Sequence, residues 1–292
     1  MLTQQLINGL LLGATYCLVA LGFNLVVGAM DRLNFALGET AMVCAIVSSL
    51  VFDKTPLPFP VVFLIAIGIG GALSVAIYFV SFKFVNQAYP TASILSSLGV
   101  GVVLTAVVTK IWGSDQRVIP GVGGGLRLDL GFATVTGSQL IILGLSVVMT
   151  AALYVFLEKT VWGTAIRGVS DDATMTGLLG VPVQKVILLT FALSGMLAGA
   201  AGLLTGLAYH TVSPFDGFTT TLTALMVIVI GGLGSVTGGV IAAVAIGMIE
   251  TLTVAYLSAT LRDFVVYILV SVVLLLRPQG LMGKNAGVLE RV

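Results

Sequence analysis

Along this chain the charged residues gather in short clusters, and between them run long stretches with no charge at all. Residues 1–30, 55–82, 84–109, 130–157, 186–215 and 217–249 contain no Asp, Glu, Lys or Arg. Each stretch exceeds the roughly 18–20 residues that a helix needs to cross the hydrocarbon of a bilayer. A segment in lipid must satisfy its backbone polar groups internally, which leaves helices or closed barrels. Barrels are built from short strands alternating apolar and polar, and no such alternation is present. The pattern predicts an all-α integral membrane protein.

Charge clusters and turn residues divide the chain into spans near 6–28, 34–52, 58–82, 91–111, 133–157, 186–208, 217–231, 236–257 and 262–277. Pro56, Pro58 and Pro60 mark the start of the third, since proline suits a helix entrance better than an interior. The runs 217–231 and 264–276 are short for a bilayer, so either predicts a half-helix or one tucked among others. The expectation is a polytopic bundle of about eight or nine transmembrane or re-entrant helices, with residues 1–292 forming one transmembrane domain.

Orientation follows from Lys and Arg, which accumulate in cytoplasmic loops. With the 158–185 loop inside, Arg32, Lys83, Lys159, Arg167, Lys185, Arg277, Lys284 and Arg291 fall on its side. Lys54, Lys110, Arg117, Arg127 and Arg262 fall on the other. Nine spans then put the N-terminus outside and the C-terminus inside, while eight would reverse the N-terminus.

Composition narrows the class further. Only 9% of residues are charged, against 58% apolar and a mean hydropathy of +1.15. Soluble domains carry roughly 25% charged residues, so this chain cannot cover a water-facing surface. A net charge of +1 gives no sign of nucleic-acid binding. The first apolar run lacks a basic leader and is too long for a cleavable signal peptide. About 16 residues follow the last apolar run, which leaves no room there for a soluble catalytic domain. Cys17 and Cys44 both fall inside spans and read as small packing residues.

Glycine occurs 36 times. Helices in lipid associate through close approach at small residues rather than through a hydrophobic force. Gly195, Gly199, Gly202 and Gly206 recur at i, i+4, i+7 and i+11, on one helix face suited to packing within the subunit or against a second one. Gly9 and Gly13 make a similar pair. The run Gly231-Gly-Leu-Gly-Ser-Val-Thr-Gly-Gly239 breaks a helix instead. It is either a tight turn between spans or an unwound element beside a solute path.

Two acids fall within spans, where carboxylates mark function or a buried pair. Glu39 belongs to the polar, Gly-interrupted patch Asn34–Thr40. That patch is either a kinked segment lining a conduction route or an interfacial helix start with Glu39 at the positive dipole end. Glu250 is expected near the outer interface, solvated, and His210 in an outer loop. One His and two scattered Cys assemble no zinc or iron site. No His-Glu-x-x-His, Gly-x-Ser-x-Gly, paired Asp-x-x-Asp or P-loop occurs, so neither membrane-enzyme chemistry nor ATP binding is expected of this chain.

Residues 158–185 form the one sizeable inner loop. Ser170-Asp171-Asp172 offers an N-cap and first-turn acids, and Gly180 followed by Pro182 stops a helix. The expected helix spans about two to three turns and exposes Met175, Leu178 and Leu179, either to a docking partner or to the headgroup layer.

The loop resembles the inner loop of ATP-binding-cassette importer permeases. More narrowly, the chain is similar to the branched-chain amino acid permease family through Leu33-Asn-Phe-Ala-Leu-Gly-Glu39, Arg167…Asp172…Met175…Leu178-Leu-Gly180, Gly231-Gly-Leu-Gly-Ser-Val-Thr-Gly238 and Arg277-Pro-Gln-Gly-Leu-Met-Gly283. The resemblance implies a bacterial inner-membrane permease subunit of an importer. It would work with a homologous second permease, two cytoplasmic ATP-binding subunits and a periplasmic solute-binding protein, with ATP bound by those partners alone. It further implies that Arg167, Asp171, Asp172, Met175, Gly177, Leu178 and Gly180 form the ATPase-coupling element. Asn34, Gly38, Glu39 and Thr40, with Gly231, Gly232, Gly234 and Ser235, would belong to the translocation path. Two departures stand out: Leu37 occupies a position where the family usually has His, and Asp171-Asp172 replaces the Glu-Ala of generic importers. The family also serves urea, amides and aromatic acids, so the solute stays open. The rival reading is an ion-coupled secondary transporter or channel acting alone through Glu39 or Glu250.

Overall fold

A computed structural model describes residues 2–85, 90–122, 127–129, 134–277 and 279–282. The helices are α1 (Leu2–Met30), α2 (Leu37–Lys54), α3 (Phe59–Ile77), α4 (Pro90–Trp112), α5 (Gly137–Lys159), α6 (Val161–Asp171), α7 (Ala173–Leu178), α8 (Val183–Tyr209), α9 (Asp216–Gly231), α10 (Val236–Tyr256) and α11 (Arg262–Leu276). A π-helical turn, Tyr78–Phe82, continues α3, and a 3-10 turn, Ala259–Leu261, leads into α11. Short strands β1 (Arg117–Val118), β2 (Arg127–Asp129), β3 (Thr134–Thr136) and β4 (Thr211–Val212) lie in the loops. β1 pairs antiparallel with β4, and β2 with β3.

Each of the nine expected hydrophobic segments contains a helix. Among the described residues seven helices are long and apolar enough to cross a bilayer. The two others are α2, whose ends carry Glu39, Asp53 and Lys54, and the 16-residue α9. Both pack on each other and on α1 or α8, in the interior of the bundle. The helices alternate in direction. Gly28 at the end of α1 faces Ser170 of α6, while Gln4 at its start bonds the backbone of Thr134. α10 returns along α1, and α8 along α3.

α1 is the central helix. Every side chain from Thr15 to Val27 is buried, against α10, α8 and α9. Apolar character alone does not select this position, since α5 and α11 are as apolar and mostly uncovered; α1 also carries Tyr16 and Asn24, which find partners in Glu250 of α10 and in the Gly234 N–H. α1 ends where Asp31 takes a left-handed backbone (φ 53°) and returns its N–H to Val27 O at 2.8 Å. The second helix starts at 37 rather than 34, because Asn34 Oδ1 accepts the Ala36 N–H at 3.2 Å and folds residues 34–36 into a local turn.

The four-glycine face of α8 is fully occupied within the subunit. A Cβ on Gly195 would strike the carbonyl of Gly70, on Gly199 that of Ala66, and on Gly202 that of Ala41. At Gly206 it would meet Ile119 and Val212 at 2.6 Å. These crossings let α8 lie against α2 and α3 backbone to backbone. Gly9 and Gly13 do the same for α1 against Met248 and Val244 of α10. Cys17 and Cys44 are buried and unpaired.

Candidate functional site

The loop of residues 158–185 carries two helices where one was expected. α6 exists because Gly163, Ile166 and Val169 share one face, which is buried, and because the Thr160 side chain accepts the Gly163 N–H at 3.0 Å. Arg167 donates to Leu157 O and lies 3.5 Å from Glu158, which ties α6 to the end of α5. The break falls at Asp172, whose Oδ1 accepts the N–H groups of Thr174 (2.8 Å) and Met175 (2.9 Å) and so caps α7. Asp172 thus serves as a cap rather than as a first-turn acid, and α7 is only six residues long. Gly180, at φ 87°, ends it. Thr176 packs beside Gly168, and Gly177 against Val183, which turns Met175, Leu178 and Leu179 outward, at 62%, 79% and 84% exposure.

The glycine-rich run is a turn of four residues, 232–235, between α9 and α10. Gly232 (φ 101°) and Gly234 (φ 80°) hold conformations that side chains disfavour. Ser235 caps α10 by accepting the Gly238 N–H at 3.1 Å. Asn24 Oδ1 accepts the Gly234 N–H at 2.7 Å, and the Gly231 carbonyl accepts the Met282 N–H at 3.1 Å. Gly234 and Thr237 line a cavity of about 420 Å³ together with Arg167 and Asp171, so two sequence-distant sets meet at the α6–α7 end.

The Asn34–Thr40 set lies elsewhere, deep in the bundle. Asn34 is fully buried, and its Nδ2 has no hydrogen-bond partner among the described residues. The Gly38 N–H donates to Thr221 Oγ1 (3.1 Å), and Thr40 Oγ1 donates to Ala36 O (2.9 Å). Glu39 stands in the first turn of α2, but it is 6% exposed rather than interfacial. Its carboxylate accepts from Thr105 Oγ1 at 2.9 Å and lies against Gly217 in the first turn of α9. Two helix N-termini therefore converge on one buried carboxyl group.

Glu250 is not solvated, contrary to the sequence-based expectation. It is 2% exposed, accepts the Tyr16 O–H at 2.7 Å and lies 3.7 Å from Arg262 Nε. The reason is tertiary: α10 lies along α1, and the start of α11 folds back over α10 and brings Arg262 to Glu250. His210 ends α8 in a left-handed conformation (φ 58°) and is exposed. Sequence reasoning missed Tyr16, Arg262, Thr105 and Thr221; none belongs to a motif, and only the fold brings them to their partners. Among the described residues no three of His, Cys, Asp and Glu are arranged to hold a metal ion.

A family model described as branched-chain amino acid transport system, permease component, matches residues 5–274. The high-affinity branched-chain amino acid transport system permease protein LivH of Salmonella typhimurium is 31% identical, over 96% of this chain and 95% of its own length. BraD of Pseudomonas aeruginosa, a permease protein of the same kind of system, is 28% identical over 96% of this chain and 95% of its own length. The ribose import permease protein RbsC of Haemophilus influenzae is 27% identical over 85% of this chain and 74% of its own length. Among solved structures, PsaBC from Streptococcus pneumoniae in complex with Fab superposes with a TM-score of 0.51 at 14% identity, covering 95% of this chain and 91% of that one. That superposition speaks for the helical membrane fold alone. With the family model covering nearly the whole helical bundle, the chain belongs to the branched-chain amino acid transport system permease family.

Proposed function

We propose that this chain is the membrane-spanning permease subunit of a bacterial inner-membrane importer that admits branched-chain amino acids. On this reading it forms one transmembrane domain, pairs with a homologous permease and receives its solute from a periplasmic binding protein. Two cytoplasmic ATP-binding subunits supply the work, so the chain binds no nucleotide and performs no covalent chemistry. The observation that carries the reading is α7. A six-residue helix capped by Asp172 presents Met175, Leu178 and Leu179 to the outside with no covering element of its own among the described residues. Three exposed apolar side chains on a short, doubly anchored helix suit insertion into a groove of a soluble partner. Closure of the ATP-binding subunits would push α7, and α6 would pass the movement to α5 and to the Gly234 turn across the shared cavity.

In this mechanism the Asn34–Ala36 turn before α2 and the Gly232–Ser235 turn are the parts of the path that yield, because neither is held by continuous helical hydrogen bonds. Replacing Asp172 with Lys removes the cap and opposes the helix dipole of α7. Reconstituted with its partners, the variant should assemble and hydrolyse ATP while uptake is lost. Undiminished uptake in that variant would overturn the coupling role. An ion-coupled carrier, by contrast, would transport when purified alone into vesicles.

A further inference from the structure

A second cavity, of about 270 Å³, lies at the end of the bundle away from α6 and α7, among α2, α8, α9 and the start of α11. That size approaches the range of small-solute sites. Its walls differ in chemistry. Ala41, Met42 and Ala45 of α2 make an apolar side. Thr205 of α8 and Thr219, Thr220 and Thr223 of α9 add hydroxyls. Two groups of opposite charge also line it, Arg262 and Asp216.

These two charges come from different elements and are held differently. Asp216 opens α9; its Oδ2 accepts the Ser213 N–H at 2.7 Å, and no basic side chain pairs with it among the described residues. Arg262 is anchored from behind by buried Glu250 and, at 3.2 Å, by Asp263 on the neighbouring position, which is 67% exposed. Both acids approach Nε from the side of a separate cavity, so they would continue to orient the guanidinium while a ligand carboxylate meets its terminal nitrogens. Arginine matches a carboxylate in a planar two-point contact that lysine cannot reproduce.

Resting on the importer reading above, we propose that this cavity is an acceptance site for a free zwitterionic amino acid. Arg262 takes the α-carboxylate, Asp216 takes the α-ammonium, and the α2 wall takes the aliphatic side chain. A zwitterion leaving water needs both charges met, since an unpaired charge in a partly desolvated site is strongly disfavoured. The threonine hydroxyls provide for the remaining hydrogen bonds.

Thr220 lines the cavity and is half-buried, whereas the native Cys17 and Cys44 are fully enclosed, so Thr220→Cys supplies one reactive thiol. The assay is its modification by a small neutral methanethiosulfonate, in the membrane-reconstituted transporter complex without binding protein. At L-leucine about four times its dissociation constant, modification should slow about fivefold. Leucinamide, which lacks the carboxylate, and 4-methylpentanoate, which lacks the ammonium, should not protect at equal concentration. Asp216→Asn, whose amide oxygen still accepts from Ser213, should abolish protection by leucine. Equal protection by all three compounds, no protection by leucine, or full protection in Asp216→Asn would each overturn the site. Leucine uptake by the complete importer is measured in parallel. Absence of uptake in the unmodified protein would overturn the amino-acid reading itself, whereas uptake without protection overturns only this site.

Discussion

Glu250 allows a graded test of what a buried carboxylate does in this bundle. Three substitutions separate its interactions. Tyr16→Phe removes the hydroxyl that donates to Glu250 at 2.7 Å and leaves the ion pair. A hydrogen bond to a charged group contributes about 1.5–3 kcal/mol, and the lower end applies because Arg262 still compensates the carboxylate. Glu250→Gln keeps an oxygen for Tyr16 but deletes the charge opposite Arg262. Breaking a fully buried pair costs about 3–5 kcal/mol. Here the Arg262 side chain is 33% exposed, and the nitrogen–oxygen distance is 3.7 Å. Water therefore screens part of the loss, which leaves about 1–2 kcal/mol. Glu250→Ala removes both interactions and leaves a void beside α1, for about 3–5 kcal/mol. At about 2–4 °C per kcal/mol, the midpoint for Glu250→Ala should fall by about 6–20 °C, with the two milder variants between it and the parent. Thermal denaturation in detergent, followed by size-exclusion monodispersity, reads the series. Combining Tyr16→Phe with Glu250→Gln should show a coupling of about 1 kcal/mol, since the two share one contact. If Glu250→Ala matches the parent within about 1 °C, the carboxylate is not a buried tie between α1, α10 and α11, and the reasoning fails.

Other contacts give sharper contrasts. Gly195→Val forces a branched side chain into the Gly70 carbonyl and should lower stability by at least about 1–3 kcal/mol, whereas Gly68→Val faces open space and should stay within about 0.5 kcal/mol of the parent; paired thermal midpoints decide it. Asn24→Ala strips the acceptor from the Gly234 N–H and should cost about 1–2 kcal/mol, read in the same assay. Leu178→Asp places a charge on the exposed apolar face of α7 and should reduce co-purification of the ATP-binding subunits at least about tenfold, a loss of about 1.4 kcal/mol or more in docking. Recovery of those subunits unchanged would place the docking surface elsewhere.

Much of the fold was legible because lipid is a strict solvent. It admits few charges and demands that each backbone group be satisfied, so uncharged runs of sufficient length had to be helices. The helix ends were legible as well. Gly180 and Gly232 take positive φ, Asp172 and Ser235 cap α7 and α10, and all four are residue types that signal a helix boundary locally. α6 itself was not legible. Its apolar face consists of Gly163, Ile166 and Val169, of which the glycine matters only because the end of α5 comes close to it.

Residue order alone was enough for the membrane class, the succession of hydrophobic segments, the three places where that succession is interrupted, and a resemblance that family membership bears out. Apart from the resemblance these are local properties: each depends on the residue types within a short stretch of chain. Where the polar groups in those segments go was settled by packing. Glu39 and Glu250 look alike in sequence, an isolated acid in an apolar run, yet one rests on two helix N-termini and the other on Tyr16 and Arg262. Whether a carboxylate is solvated, capped or paired depends on which helix crosses it. In this bundle that is fixed by glycine-to-backbone crossings between segments dozens to hundreds of residues apart, beyond the reach of any local pattern.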